Sequence, residues 1–394
     1  MTQTIEPREF ASDQAGSSSP TDDVFAPTLA GEAYTSQDIF EQELVRIFER
    51  EWVYVGRAEE IARKGDFLRA DVGRESVIVV RGRDEQIRGF LNVCRHRGAR
   101  LCLEQRGNAG NAIRCPYHAW SYRLDGGLIT APNWEAMASI DKAERSLVEV
   151  RTEVWNGMVW VNLDDDAGPL ADYLQPQVAH RLGDNLEVLE RYDIANLVVG
   201  KRVVYEVEAN WKLIFENFQE CYHCGTIHPE LVEAIPAFQA SDTSANGYDT
   251  DGYYFAEGRE GFTLSGKRSL PRLPGLREDD DLKYFGMTLR SNAFLSLTPD
   301  HVITHKFEPI SATRTRAVCD WLVPAEVAAS EDHDLSDAVA LFDAVNKQDF
   351  DAAEWCQPNM SSRVYRDGGV LAPAEKLQIS LWYDWYRDLM ARES

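Results

Sequence analysis

Two stretches of this chain hold side chains able to bind metal. The first reads Cys94-Arg95-His96-Arg97-Gly98 and is answered, beyond Arg114, by Cys115-Pro116-Tyr117-His118. The pattern is Cys-x-His and Cys-x-x-His within a β-rich segment. Each half reads as a tight loop at a strand end, presenting two ligands to one point. Two thiolates and two imidazoles can hold a tetrahedral zinc ion. They can equally hold a 2Fe–2S cluster in which two histidines replace two cysteines on one iron. Spacing alone leaves both open. Cys102 lies outside both loops and reads as a small buried residue.

The second stretch runs from Asn210 to His228. Leu213, Ile214 and Phe218 form an apolar stripe at helical spacing, with no proline in the run. On a helix turning about 100° per residue, Glu216, Glu220 and His223 share one face. His228 follows His223 by five positions, roughly 140° further round a continuous helix. Both imidazoles meet one metal only where the helix ends or loosens between them, and Gly225 offers the means. Histidines leaving a helix end beside carboxylates make a start for an iron site. The plain alternative is a solvated helix end with two unrelated histidines.

The elements that must position these residues follow from periodicity. Residues 1–31 are rich in Ser, Thr, Asp, Ala and Pro and are expected to be a disordered tail. Thr35 or Ser36 can cap a helix to about Glu51, with Ile39, Phe40, Leu44, Ile47 and Phe48 buried. Short β-rich runs follow at Trp52–Val55, Phe67–Ala70, Ser76–Val80, Ile87–Leu91 and Val159–Leu163. Asp164-Asp165-Asp166 with Gly168-Pro169 marks a domain boundary. Beyond it a helix is expected over Leu170–Leu189, interrupted at Pro176, and then a strand near Lys201–Val207. Residues 240–283 read as long loops able to roof a pocket. Strands return near Ala293–Leu297, His301–Pro309 and Thr315–Val323, and helices over about 331–356 and 374–391 close the chain. Strands with helices segregated at the ends read as an α+β fold.

Composition narrows the function. A chain of 394 residues with 44% hydrophobic content and 10 tryptophans is globular and long enough for two domains. Its net charge of -24 argues against nucleic-acid binding, which needs basic patches. No apolar run is long enough to span a membrane and no secretory signal is visible, so a cytoplasmic location is the default. Seven cysteines without extracellular context point to metal ligation or reduced thiols rather than a disulfide framework.

Cys94 to Ala99, Cys115 to Tyr122 and Leu124-Asp125-Gly126 together resemble the Rieske domain of bacterial ring-hydroxylating oxygenase α subunits. The resemblance extends from about residue 35 to the C-terminus. It implies a 2Fe–2S cluster on Cys94, His96, Cys115 and His118. The segment between the loops, with Gly107-Asn108-Ala109-Gly110-Asn111, is slightly longer than the family pattern, which affects a surface turn and not a ligand. The implied fold is an all-β Rieske domain over 52–165 and a catalytic domain over 166–394. The second has an antiparallel sheet with flanking helices, of the helix-grip, START-like kind. Residues 32–51 would be a helix packed on the catalytic domain.

Asn210-Trp211-Lys212, Glu216-Asn217, Glu220, His223 and His228-Pro229 match the same family's pattern for a mononuclear iron(II) held by two histidines and one aspartate. Such a set covers one face of the metal and leaves positions for oxygen and substrate. Asp349 and Asp351 are the candidate aspartates. Helical spacing groups Asp349 with Val345, Ala352, Ala353 and Cys356, and Asp351 with Lys347 and Glu354. The family places its aspartate eight residues before a glutamine, and Gln357 selects Asp349. Glu216 faces suitably for a ligand, but the resemblance gives it a supporting role.

Glu220-Cys221-Tyr222-His223-Cys224 departs from the aspartate that ring-hydroxylating members usually carry and resembles the branch acting on quaternary ammonium compounds. That branch includes glycine betaine and stachydrine demethylases and carnitine oxygenase. Cys221 and Cys224 themselves read as small buried residues. Tyr253-Tyr254-Phe255, Tyr284-Phe285 and Phe294 are candidates for an aromatic cage around an onium group, or simply for the core.

Three functions stand. One is oxidative N-demethylation with release of formaldehyde, and another is oxygenation of an aromatic ring or aryl ether. The third is electron transfer without catalysis. No nucleotide- or flavin-binding glycine motif is present, so a separate NAD(P)H-dependent reductase would supply electrons. The resemblance also implies a homotrimer in which Glu220 links His223 to His118 of the next subunit.

Overall fold

Alternating β-branched and aromatic residues in the first half of the chain resolve into one antiparallel sheet. The computed structural model describes residues 26–392 apart from 138 and 241–249. Seven strands pair in the order Val53–Arg57, Met158–Asn162, Glu149–Trp155, Ile87–Leu91, Glu75–Arg81, Asp66–Val72 and Arg106–Asn108. A small three-stranded sheet, Ile113–Arg114, Ser121–Tyr122 and Leu128–Thr130, carries the second Cys/His loop. Phe67, Ile78, Phe90, Trp120 and Tyr122 fill the space between the two sheets.

The second half is built on a six-stranded antiparallel sheet, from Val198–Val207 through Arg314–Val323, Val302–Ser311, Ala293–Leu297 and Lys283–Leu289 to Tyr253–Tyr254. Helices Leu170–Leu182, Ser336–Cys356 and Pro373–Ala391 pack around it. The first of these runs through Pro176, which removes one helical hydrogen bond, and stops at Gly183 with φ +56° instead of continuing to Leu189.

Of the expected tail, residues 1–25 lie outside the described residues. Residues 26–31 belong to the fold: Ala26–Pro27 pairs antiparallel with Val370–Leu371, and Leu29 is buried. Ser36 accepts a hydrogen bond from the Ile39 amide and caps the helical segment Gln37–Phe48. Phe40, Ile47 and Phe48 are buried, and Phe48 meets Trp211 edge-on at 5.2 Å between ring centroids.

A buried ion pair ties that segment to the site. Lys212 Nζ lies 2.6 Å from Glu43 Oε1, and both side chains are fully enclosed. Trp211 Nε1 and the Tyr386 hydroxyl also donate to Glu43, at 2.8 and 2.7 Å. Removing one member of such a set strands a buried charge and costs about 3–5 kcal/mol. The two sheets are joined as firmly. Arg57 donates to the carbonyls of Ile194 and Leu197, Asn292 Oδ1 accepts from the Tyr54 amide, and Glu60 pairs with Arg202 at 2.8 Å.

Candidate metal and substrate site

The two Cys/His loops are built alike. The Cys94 amide donates to the Ala99 carbonyl and the Gly98 amide to the Cys94 carbonyl. The Cys115 amide donates to the Trp120 carbonyl and the Ala119 amide to the Cys115 carbonyl. The fourth residue after each cysteine turns left-handed, Gly98 at φ +73° and Ala119 at φ +56°. This geometry sets the two cysteines beside each other and the two histidines beside each other. His96 and His118 meet at 4.7 Å between ring centroids, and His96 stacks on Trp120. Cys94 and Cys115 are buried beneath them, while His96 is exposed. His118 Nδ1 is buried and has no hydrogen-bond partner, the condition of a lone pair reserved for a metal. The donor set therefore suits a cluster with a thiolate side in the core and an imidazole side at the surface. The Tyr122 hydroxyl accepts the Arg95 amide at 3.0 Å and lies 3.3 Å from Cys94 Sγ. Cys102 is buried apart from the loops, and burial pushes its thiol up to about 11.

The second site departs from the helix expected to carry Glu216, Glu220 and His223 on one face. The helix from Trp211 ends at Asn217, and a new turn begins only at Cys224–Ile227. Two contacts explain the break. Phe218 turns in to stack on Phe294 at 4.7 Å, and Glu220 Oε2 accepts the backbone amides of Tyr222 and His223. Glu216 consequently leaves the His223 face. It accepts from the Tyr34 hydroxyl at 2.8 Å, and burial pushes its carboxyl up to about 8. Gly225 is an ordinary helical residue. The turn between the histidines occurs at His228 itself, with Pro229 opening the next helix.

His223, His228 and Asp349 converge, their ligand atoms all within 4.8 Å of one another. Asp349 Oδ1 lies 3.3 Å from His223 Nε2 and 2.8 Å from His228 Nε2. Asp349 is 4% exposed, whereas Asp351 faces solvent. Cys356, expected on the same buried face, is exposed at the helix end. Burial alone would raise the Asp349 carboxyl, and the two imidazoles outweigh it and hold it below its usual range. Burial likewise opposes charge on His223, but Asp349 and Glu220 prevail and push it up to about 10.

Each ring nitrogen facing away from Asp349 has an outer partner. His223 Nδ1 lies 2.5 Å from Glu220 Oε1, and His228 Nδ1 donates to Gln348 Oε1 at 2.7 Å. These contacts set the tautomer that turns the lone pair of Nε2 inward, as iron requires. Gln348 was not foreseen, although its place beside Asp349 is the available signal.

Cys221 and Cys224 form a disulfide, with Cα atoms 4.9 Å apart, instead of being two free thiols. The tight turn around His223 brings a Cys-x-x-Cys pair together whatever the compartment. Both cysteines line the cavity that opens over the metal set. Tyr253, Tyr284 and Phe294 line it as expected, joined by Phe218, Phe238 and Phe342. Tyr254 points outward over Lys283, while Phe255 and Phe285 belong to the core. Part of the expected roof, 241–249, lies outside the described residues.

Comparison with known proteins matches residues 51–141 to the Rieske [2Fe-2S] domain and residues 194–392 to the ring hydroxylating alpha subunit catalytic domain. The chain is 31% identical over 386 residues to the glycine betaine monooxygenase oxygenase subunit of Pseudomonas aeruginosa, covering 91% of this chain and 87% of that one. It is 32% identical over 357 residues to the carnitine monooxygenase oxygenase subunit of Escherichia coli K12, covering 90% of each. The quaternary ammonium Rieske monooxygenase CntA in complex with L-carnitine superposes with a TM-score of 0.68 at 26% identity, over 92% of this chain and 96% of that one. Naphthalene 1,2-dioxygenase from Rhodococcus sp., at 20% identity and a TM-score of 0.71 over 95% and 96% of the two chains, shares the fold.

Proposed function

We infer the activity from one premise: the chain belongs to the family of Rieske-type ring-hydroxylating oxygenase α subunits. We propose that it hydroxylates an N-methyl group of a quaternary ammonium compound of the glycine betaine kind. The boundaries 32–51, 52–165 and 166–394 divide it into helix, Rieske domain and catalytic domain. Cys94, His96, Cys115 and His118 hold the cluster, and His223, His228 and Asp349 hold the mononuclear iron(II). When bound, these centres deliver electrons to O2 and activate it beside the substrate.

The protein supplies position and environment. Glu220 and Gln348 fix the two imidazoles, and six aromatic rings give the cavity walls suited to an onium group. The observation that carries this reading is the aromatic cavity directly over the converging His223, His228 and Asp349. The reaction consumes O2, two electrons and two protons. One oxygen atom enters a methyl C–H bond and the other leaves as water. The resulting N-hydroxymethyl group then loses formaldehyde and a proton, leaving a tertiary amine.

We propose that electrons come from a separate NAD(P)H-dependent reductase and that the enzyme is cytoplasmic. A homotrimer brings Glu220 of one copy against the cluster histidine His118 of the next. The test is oxygen uptake and formaldehyde release by the reduced, iron-loaded chain over a panel of betaines and aromatics. Equimolar formaldehyde with a betaine is the expected result. Turnover of aromatics alone overturns the substrate and keeps the oxygenase.

A further inference from the structure

We propose that Arg95, Arg97, Arg100 and Arg114 form the docking surface for an acidic electron-transfer protein, which delivers electrons to the cluster at its exposed histidine edge. The inference rests on the oxygenase reading above and adds the chemistry of the partner. The chain carries a net charge of -24, yet residues 93–122 hold five arginines and a single carboxylate, Glu104. Arg106 is neutralised by Glu60 at 2.6 Å. The other four arginines are exposed, and among the described residues none of them has an ion-pair partner. A chain this acidic repels an acidic protein over most of its surface. A local basic patch then fixes where and how such a partner lands.

These arginines surround the proposed point of electron entry. Arg95 and Arg97 flank the exposed His96, and Arg114 lines a surface hollow together with His96 and His118. Arg100 follows directly on Ala99, whose carbonyl closes the first loop. Arg97 reaches the second loop, where it donates to the Tyr117 hydroxyl at 3.5 Å and stands 5.6 Å from the centre of that ring. Tyr117 in turn lies against His118 at 3.6 Å between ring centroids and is 58% exposed. Leu103, on the same stretch, is 63% exposed. Two apolar side chains among four unpaired arginines suit a brief, charge-steered contact. A permanent interface between copies buries more apolar surface and fewer charges. The patch therefore fits a separate donor that binds, transfers and leaves. In that transfer one electron leaves the donor's reduced centre and takes one ferric iron of the cluster to the ferrous state.

A plant-type 2Fe–2S ferredoxin is a suitable probe, being acidic and low enough in potential to reduce a Rieske cluster. Calorimetric titration of the full iron-loaded chain with oxidised ferredoxin is expected to show binding that weakens about 10-fold or more between about 20 and about 500 mM salt. Arg100→Glu and Arg114→Glu are each expected to bind it about 10-fold more weakly, and Arg100→Lys to bind at the parent level. Stopped-flow reduction of the cluster by reduced ferredoxin should slow in parallel. Reduction by dithionite, which needs no docking surface, should stay within about twofold of the parent. Ferredoxin affinity within about threefold of the parent in both glutamate variants overturns the proposal. So does affinity indifferent to salt in the parent, which decides alone should the variants not fold. Sedimentation tests the other occupant, a second copy. Variants that separate into smaller species while keeping their ferredoxin affinity assign the patch to a contact between copies and overturn the proposal. The underlying reading fails separately. A cluster that takes electrons through the patch, in a chain that yields formaldehyde from no quaternary ammonium compound, keeps the docking surface and removes the demethylation reading. Formaldehyde release at the parent rate by both glutamate variants, with limiting ferredoxin as donor, has the opposite meaning.

Discussion

The two Cys/His loops proposed to hold the cluster and the proposed catalytic set both rely on imidazoles but assemble them over very different lengths of chain. Cys94, His96, Cys115 and His118 come from two neighbouring loops, each closed by its own pair of backbone hydrogen bonds. His228 and Asp349 are 121 residues apart and meet only when the Ser336–Cys356 helix docks on the site segment. Exposure divides them too. His96 is open to solvent, while His228 is 1% exposed. A centre that takes electrons from another protein needs an edge at the surface. A centre that handles O2 beside a bound substrate needs water kept out. Local loop geometry serves the first need, and tertiary packing with outer hydrogen bonds serves the second.

The largest expected effect breaks the catalytic set alone. Asp349→Ala is expected to lower iron from about three atoms per chain to about two. Product formation should be abolished while the visible spectrum of the cluster is kept. Asp351→Ala should match the parent on both measures, because that side chain faces solvent. Iron analysis with absorbance spectroscopy checks the pair, and the reverse pattern would move the ligand to Asp351. Zinc bound by Cys94, His96, Cys115 and His118 would remove the oxygenase reading altogether.

A smaller effect sharpens the role of the outer partners. Gln348→Leu is expected to weaken iron binding about 10–100-fold through His228 and to leave the cluster unchanged. Glu220→Ala should do the same through His223 and also impose a second defect. At saturating iron the cluster should still be reduced by its partner, yet its reoxidation with substrate and O2 should slow by about 100-fold or more. Stopped-flow absorbance separates the two variants. Parent-rate reoxidation in iron-replete Glu220→Ala would leave Glu220 an orienting group only, and a fully active monomer in solution would exclude the trimer.

The same contrast explains what the sequence discloses. The paired Cys/His loops were legible because the cysteines, histidines, turn residues and hydrogen-bond closure all fall within residues 94–120. His223 and His228 were legible by type, and Asp349 by facing together with the family resemblance. The helix expected to carry Glu216, Glu220 and His223 on one face ends at Asn217 instead. Its apolar stripe is real, but Phe218 stacks on Phe294 and Glu220 caps its own downstream amides, and neither competitor is visible in periodicity. Glu43 with Lys212 is a pair separated by 169 residues, and no local pattern marks it. Residues 26–31 read as tail because a two-residue strand paired near the C-terminus carries no periodicity.

The smallest effect tests whether the cluster also depends on an outer partner. Tyr122 is its counterpart to Gln348. Its hydroxyl accepts the Arg95 amide at 3.0 Å, which directs its own proton toward Cys94 Sγ at 3.3 Å. A hydrogen bond to a ligating sulfur stabilises the more negative, reduced state of a cluster, so its loss lowers the midpoint potential. Tyr122 is fully buried, and Tyr122→Phe keeps the ring that fills the space between the two sheets. Iron content and the catalytic set are therefore expected to stay at parent values, while a redox titration followed by cluster absorbance shifts downward. An unchanged potential would mean that the hydroxyl serves the Arg95 backbone alone. The cluster would then rest wholly on its local loops, and the contrast with the catalytic set would be sharper.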